Sequence, residues 1–409
     1  MREEILYKLP EGWKKEKLGS DDFKIRGSGI ERFEGEKDYL STESIQGTKI
    51  EKIESKISYK KRPSRANMQP VLNSIWFAKM KGTTKVYCFD ETNKSELNKY
   101  ILSTGFTGIN PLNCEAKFLK YFFLSPNFNL QKDNFSTGTT QVAINNDGIK
   151  KIEIIYPESK EEQILIVQEI EKEFAHLDAA VKSLKSVKNK LEVYRKSVLK
   201  AAFEGNWKFD KLGSIFKTTS GGTPSRSKKE YYTGDIRWLK SGELNDNQYI
   251  DDSEEHITKE AIKNSSAKIF LKDTVLIALY GATTGKLGII KKECATNQAI
   301  CGIFPNSNYE PEFIYYYLLF KREQLVSQTK GGAQPNISQG VVRDIEFPKV
   351  DKEVQLDILN IIESRFSVID KLEETVDNAL IKAEQLRKSI LKSAFEGKLV
   401  KHDGCDKNE

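Results

Sequence analysis

Two stretches of this chain, Glu158 to Phe203 and Asp351 to Phe395, contain neither proline nor glycine. In the first, Ile170, Leu177, Leu184, Leu191 and Val198 recur every seventh residue. Phe174 and Val181 fill the alternate apolar position before Leu184, and Val187, Tyr194 and Ala201 fill it afterwards. An apolar seam repeating by sevens predicts a helix packed on another helix, and the shortened step at Leu184–Val187–Leu191 predicts local overwinding. Each run, at roughly 45 residues, would extend about 70 Å as one helix. The second run keeps Ile362, Phe366, Ile369, Val376, Leu386 and Ile390 on its seam, with Ala379 and Ala383 where the first has Val187 and Leu191. Small residues against large ones predict that the two helices pack on each other. Gly205 and Gly397 follow the runs, where a glycine in the left-handed region would stop a helix.

The stretches around these helices alternate more and turn more often. Thr274–Tyr280 and Ser74–Met80 read as buried strands, and Glu312–Leu319 and Lys117–Leu124 as helices. These elements belong to a repeat. Arg195–Gly205 returns as Arg387–Gly397, and Gln163, Ile170, Phe174 and Asp178 return as Gln355, Ile362, Phe366 and Asp370. Upstream, Trp13 and Leu18-Gly19 answer Trp207 and Leu212-Gly213, while Gln141, Ile144 and Gly148 answer Gln334, Ile337 and Gly340. The expectation is an α+β chain with a pseudo-twofold internal repeat: two strand-rich mixed globular domains, residues 1–157 and 206–348, separated and joined by two long antiparallel coiled-coil helices, residues 158–205 and 349–399, with a flexible tail at 400–409.

Three polar loops mark the second domain. One, Thr218–Lys229, follows Lys217 and holds Thr219, Ser220, Thr223, Ser225 and Arg226; another holds Tyr280, Thr283, Thr284 and Lys286; the third holds Gln334, Asn336 and Ser338. Lys240 lies in a further polar segment, Asp235–Leu244. The first domain echoes the three loops in order, with Lys24, Arg26 and Ser28, then Thr83 and Lys85, then Thr139 and Gln141. Its basic loop Lys60–Arg65 adds Lys61, Arg62 and Arg65, and reads equally as a phosphate grip or a solvated turn. Glycine, hydroxyls, amides and cations are the groups that bond phosphate oxygens and base edges. Any single loop reads as an ordinary turn; recurrence of all three in order favours binding.

Net charge is +6, and the positive surplus lies in the globular segments, which suits an anionic ligand without requiring one. The five cysteines are spaced unlike zinc ligands and read as free thiols in a reducing cytoplasm. No apolar run is long enough for a membrane span. His176, His256 and His402 lack partners at useful spacing, there is no dinucleotide-binding glycine fingerprint, and Gly281…Gly285-Lys286 has one residue too few for a nucleotide-binding loop. Asp251, Asp252, Glu254 and Glu255 read as a solvated acidic run, and Asn297-Gln298 as either buried amides or adenine readers. The chain reads as a binding protein with no catalytic or metal site of its own.

Trp-x-x-x-x-Leu-Gly at the head of each unit and Arg-Lys-Ser-Val/Ile-Leu-Lys-x-Ala-Phe-Glu-Gly at the end of each helix resemble the DNA specificity subunit of Type I restriction-modification systems. Ser220–Ser225, Asp235–Leu244 and Gly331–Ser338 strengthen the resemblance, which covers essentially the whole chain. The first domain departs from it, with Gly29-Ile30-Glu31 in place of Gly-Thr-Pro and Gln141-Val142-Ala143-Ile144 in place of Gln-Pro-Asn-Ile. The resemblance implies a non-catalytic subunit whose two target recognition domains each read one half of an interrupted site in double-stranded DNA. The helix pair would set the gap and dock two methylation subunits, and restriction subunits would join. S-adenosylmethionine, ATP and Mg2+ would belong to those partners, and the free chain could self-associate. The competing reading is a non-DNA-binding adaptor with duplicated protein-binding domains.

Overall fold

The computed structural model describes residues 9–327 and 336–400. The chain forms two compact units, one built from the residues up to Leu184 together with those from Asp377 onward, the other from Lys185–Val376. Among the described residues no helix is long and apolar enough to cross a membrane.

In the first unit, the strand Ser74–Ala78 is buried at every position, as a strand covered on both faces must be. It sits inside an antiparallel sheet ordered Phe23–Ile25, Phe106–Pro111, Ser74–Ala78, Val86–Phe89. Gly108 lies across from Trp76, and a Cβ there would meet the indole at 2.6 Å, so the close approach demands glycine. The second sheet, ordered Ser55–Ile57, Lys37–Leu40, Tyr100–Ser103, Ala66–Met68, contains one parallel pairing. Helices Ala116–Leu124 and Pro126–Asn134 supply Phe118, Leu119, Phe122, Phe123 and Phe128 to the core.

The second unit repeats this plan. Val275–Ala278, also wholly buried, lies inside a five-stranded sheet ordered Thr218–Ser220, Ile300–Ile303, Val275–Ala278, Leu287–Ile290, Tyr249–Ile250. A four-stranded sheet with one parallel pairing holds Glu255–Ile257, Ile236–Leu239, Cys294–Thr296 and Ile269–Phe270. Helix Pro311–Ser327 covers the core through Phe313, Ile314 and Tyr317.

The two predicted rods are single helices, Lys160–Phe203 and Lys352–Phe395. Each unit takes the beginning of one and the end of the other. The first unit's core combines Ile166, Val167 and Ile170 with Leu391, Ala394 and Phe395. The second combines Leu191, Val198 and Phe203 with Ile358, Ile362, Phe366 and Ile369. The helices are antiparallel, and the repeat makes their contacts reciprocal. Arg387 stacks on Phe174 at 4.7 Å and bonds Asp178; Arg195 stacks on Phe366 at 4.8 Å and bonds Asp370 and, at 2.9 Å, Glu373.

Gln163 and Gln355, both fully buried, tie the first turn of each rod to its own domain. Gln163 accepts from the Glu115 amide and donates to the Pro157 carbonyl, both at 2.7 Å; Gln355 accepts from the Glu310 amide and donates to the Asn308 and Val350 carbonyls, all at 2.9 Å.

Several expectations change. Val187, 41% exposed, Tyr194, 43% exposed, and Ala201, also exposed, do not join the seam, which buries Leu191, Val198 and Leu199 at that end of the helix. Leu386 is 51% exposed and does not join the seam, because at that turn the buried position falls to Ala383, with Arg387 and Ile390 half-buried. Gly397 has the expected left-handed backbone, with φ of 70°, but Gly205 does not. Gly205 is required for space instead, since a Cβ there would sit inside the Trp207 indole. Val400, placed in the tail, packs against the first unit's core; residues 401–409, with His402, lie outside the described residues.

Candidate nucleic-acid interface

The loops predicted for the second domain converge through a chain of polar contacts. The strand Thr218–Ser220 is joined to the end of the third loop by Gln339, whose Nε2 donates to the Thr218 carbonyl at 3.0 Å and whose Oε1 accepts from Ser220 Oγ at 3.3 Å. Ser338 caps the short helix that follows, accepting from the Val341 amide at 3.2 Å. Asn336, exposed, forms a β-bridge with Tyr280, so the second and third loops meet. Thr283 Oγ1 then donates to the Ser241 carbonyl at 2.8 Å, joining the second loop to the Asp235–Leu244 segment, while Thr284 turns back onto the Gly281 carbonyl at 2.7 Å.

Cations belong to the same loops and to the Asp235–Leu244 segment. Arg226 stacks on Tyr232 at 4.3 Å and Trp238 at 4.8 Å, and its guanidinium donates to Glu255 at 2.5 Å. Lys240 is shared between Glu254 at 2.8 Å and Glu255 at 3.1 Å. These hydrogen bonds raise the pKa of both cations, and Arg226 followed by Lys240 holds the Glu255 carboxyl below its usual range. The acidic run is therefore only partly solvated: Asp252, Glu254 and Glu255 pair with Arg237, Lys240 and Arg226. Lys217 stacks on Phe304 at 5.2 Å, Thr219 accepts from Lys268 at 2.6 Å, and Ser225 bonds Ser227 at 2.8 Å. Thr223 donates to the exposed Gln298, while Asn297 turns its Oδ1 to the Ala299 amide. Lys286 makes no ion pair among the described residues. Gln334 lies outside the described residues.

The first domain has the same framework with different side chains. Met80 bridges Ala143 as Tyr280 bridges Asn336, and the Ile144 amide bonds the Lys79 carbonyl at 3.0 Å as Ile337 bonds Leu279 at 2.7 Å. Lys85 Nζ donates to the Thr42 carbonyl at 2.8 Å, the place of Thr283 on Ser241. Thr83 bonds its own turn at the Met80 carbonyl, 2.6 Å away. Arg26 is committed inward to Asn110, which also donates to the Leu72 and Asn73 carbonyls at 3.0 Å, and burial pushes the Arg26 pKa down. Arg62 folds onto the Tyr59 ring at 4.3 Å and bonds the Tyr59 carbonyl. Lys24, Ser28, Lys61, Arg65, Thr139 and Gln141 are exposed.

Sequence reasoning missed the residues that brace these loops: Gln339, Asn110, Asp246 and the two cations Lys132 and Arg322. Only Gln339 carried a signal, as the neighbour of Ser338 in a loop already singled out.

The sequence matches the Type I restriction modification DNA specificity domain twice, over residues 11–193 and 204–382. Among curated proteins it is 30% identical over 192 residues to the Type I restriction enzyme MjaIX specificity subunit of Methanocaldococcus jannaschii, covering 46% of this chain and 42% of that one. It is 26% identical over 253 residues to the EcoR124I/EcoR124II specificity subunit of Escherichia coli, covering 60% of this chain and 61% of the relative. The aligned stretches thus span less than two thirds of these relatives. Among solved structures, a chain from a study of complex assembly and conformational transition of the type I R-M system shares the fold, with a TM-score of 0.74 at 19% identity, covering 96% of this chain and 100% of that one. The HsdS subunit from Thermoanaerobacter tengcongensis follows with a TM-score of 0.55 at 18% identity, covering 97% and 99%. The two matched stretches together cover most of the chain, and this chain belongs to the family of Type I restriction modification DNA specificity domains.

Proposed function

We propose that the chain directs a Type I restriction-modification complex to a bipartite DNA site, each domain reading one half. The observation that carries this reading is the recurrence of one loop framework, braced at Thr42 and Ser241, in two domains of the family with different exposed side chains. Lys217 and Lys286 would neutralise phosphates and set register, which weakens with salt and is indifferent to sequence. Gln334, Asn336 and their hydroxyl-bearing neighbours would read base edges, each good bidentate pair contributing about 1–3 kcal/mol of discrimination. The helix pair would fix the unread gap and dock two methylation subunits, and restriction subunits would complete the assembly. The chain would supply no catalytic group; S-adenosylmethionine, ATP and Mg2+ would reside in the partners.

The decisive experiment maps adenine methylation in DNA from cells expressing this chain with a cognate methylation subunit. A bipartite motif is expected whose halves change separately when residues 1–157 or 206–348 are exchanged with those of a relative. A folded, partner-bound chain that yields no motif refutes the reading and favours an adaptor.

A further inference from the structure

Behind each central loop lies a cation on the helix that covers the sheet. In the first unit, helix Pro126–Asn134 turns Asn129, Lys132 and Asp133 towards the turn Met80–Thr84. Lys132, with a side chain only 1% exposed, donates to the Met80 carbonyl at 3.3 Å and to the Thr83 carbonyl. Asp133 accepts from the Gly82 amide at 3.1 Å, and Asn129 from the Thr84 hydroxyl at 3.3 Å. Carbonyls, amide and hydroxyl of one short turn are thus all held from the same side. Burial pushes the Lys132 pKa down, because an ammonium out of water loses hydration that Asp133, 4.0 Å away, only partly replaces. An apolar side chain of similar length would fill this space without that penalty. What the ammonium adds is control of the turn's backbone.

The second unit reaches the same result with other residues. Arg322, on helix Pro311–Ser327, donates from Nε to the Gly285 carbonyl at 2.8 Å. Its guanidinium pairs with Asp246, whose Oδ1 also accepts from the Leu287 amide at 3.1 Å, where the turn rejoins its strand. Gly285, with φ of 80°, has a backbone that other residues rarely adopt, and Arg322 pins its carbonyl.

We propose that Lys132 and Arg322 are positioning residues for sequence reading, each presetting the central turn of its own domain so that losing the cation relaxes recognition of one half-site and spares the other. The proposal rests on the DNA-reading function above. Contacts that discriminate bases need donors and acceptors held within a few tenths of an ångström, and a turn free to shift accepts several bases at once.

The test is the methylation map of the full chain with its methylation subunit, comparing wild type, Lys132→Met and Arg322→Met, with thermal unfolding of each purified complex alongside. Lys132→Met is expected to lower discrimination by about tenfold at one or more positions of the first domain's half-site, with the second half-site unchanged and the melting temperature level or higher. Arg322→Met should do the reverse, and Arg322→Lys, which keeps a cation, should restore most of the loss. Asp133→Ala, at a more exposed partner of the same turn, must broaden the first half-site too, and decides the matter if Lys132→Met fails to accumulate. Unchanged half-sites in folded variants, or both half-sites fading together with a falling melting temperature, overturn the proposal. A wild-type map without a bipartite motif removes the DNA-reading function beneath it.

Discussion

In the first domain Lys85 reaches the carbonyl of Thr42; in the second the corresponding carbonyl, of Ser241, takes the hydroxyl of Thr283. The same exchange runs across both faces. Around the first domain's loops Lys24, Lys61 and Arg65 are exposed and make no ion pair among the described residues. In the second domain Arg226, Arg237 and Lys240 are each engaged by a carboxylate of the run Asp252–Glu255. A phosphate approaching the first face meets exposed cations that no carboxylate among the described residues engages. On the second, Lys217 and Lys286 make no ion pair among the described residues, but at Arg226, Arg237 and Lys240 a phosphate must displace a carboxylate, so there only a well-placed one is rewarded. One scaffold thus carries two electrostatic strategies, because the bracing bonds go to backbone carbonyls and leave the outward side chains free to diverge.

The strongest way to test how alike the domains are is through the shared rod ends. Phe395 packs edge-on against Phe118 at 5.0 Å and Phe122 at 5.6 Å, and Phe203 against Tyr317 at 5.2 Å and Phe313 at 5.5 Å. Phe395→Ala and Phe203→Ala should each cost about 3–5 kcal/mol. Urea unfolding followed by hydrogen exchange should place the first loss in the N-terminal domain and the second in the other. Next come the buried amides: Gln163→Ala and Gln355→Ala each strand a backbone amide and should cost about 1–3 kcal/mol, again confined to one unit. Equal losses in both units from either change would dissolve the comparison.

A smaller effect separates the units by pH. Asp22 accepts from Lys14 and Tyr156, both at 2.6 Å, and from Asn113 at 2.6 Å, which hold its carboxyl down to about 2 from 3.8. A depressed carboxyl contributes stability fully above its unfolded value and loses it as pH falls through the folded one. The stability gap between wild type and Asp22→Asn should therefore be constant above pH 4 and close between pH 4 and 2, in the first unit alone; urea midpoints across that range measure it. Smallest is Glu255→Gln, which releases Arg226 and loosens Lys240. Since an exposed pair is worth at most about 1 kcal/mol, DNA affinity should rise up to about fivefold for matched and unmatched sites alike. The salt dependence should steepen in binding titrations.

Much of this architecture was legible from spacing. Sevenfold apolar recurrence placed the rods, because a helix seam must repeat with its turn, and the duplicated Gln163 and Gln355 showed a shared constraint without its nature. The exposure of Leu386 was not legible, since a leucine one step from the seam reads like one on it and the small Ala383 is what lies inside. Gly205 and Gly397 looked alike in sequence, yet one answers to Trp207 and the other to backbone conformation. Lys132 was hidden most completely: a single lysine in a polar helical stretch, Asn127–Asn134, carries every mark of a surface residue, and only the fold turns it inward.

The division of the rods also sets an order of events. Residues 185–376 are continuous in the chain and carry every partner their core needs, whereas the first domain's core is incomplete until Leu391, Ala394 and Phe395 have been made. During synthesis the first unit is thus the last to close, and through that interval the apolar surface at Phe118 and Phe122 lacks the Phe395 ring that covers it in the finished fold. A frameshift or protease cut near residue 385 would spare the unit of residues 185–376 and disable the other.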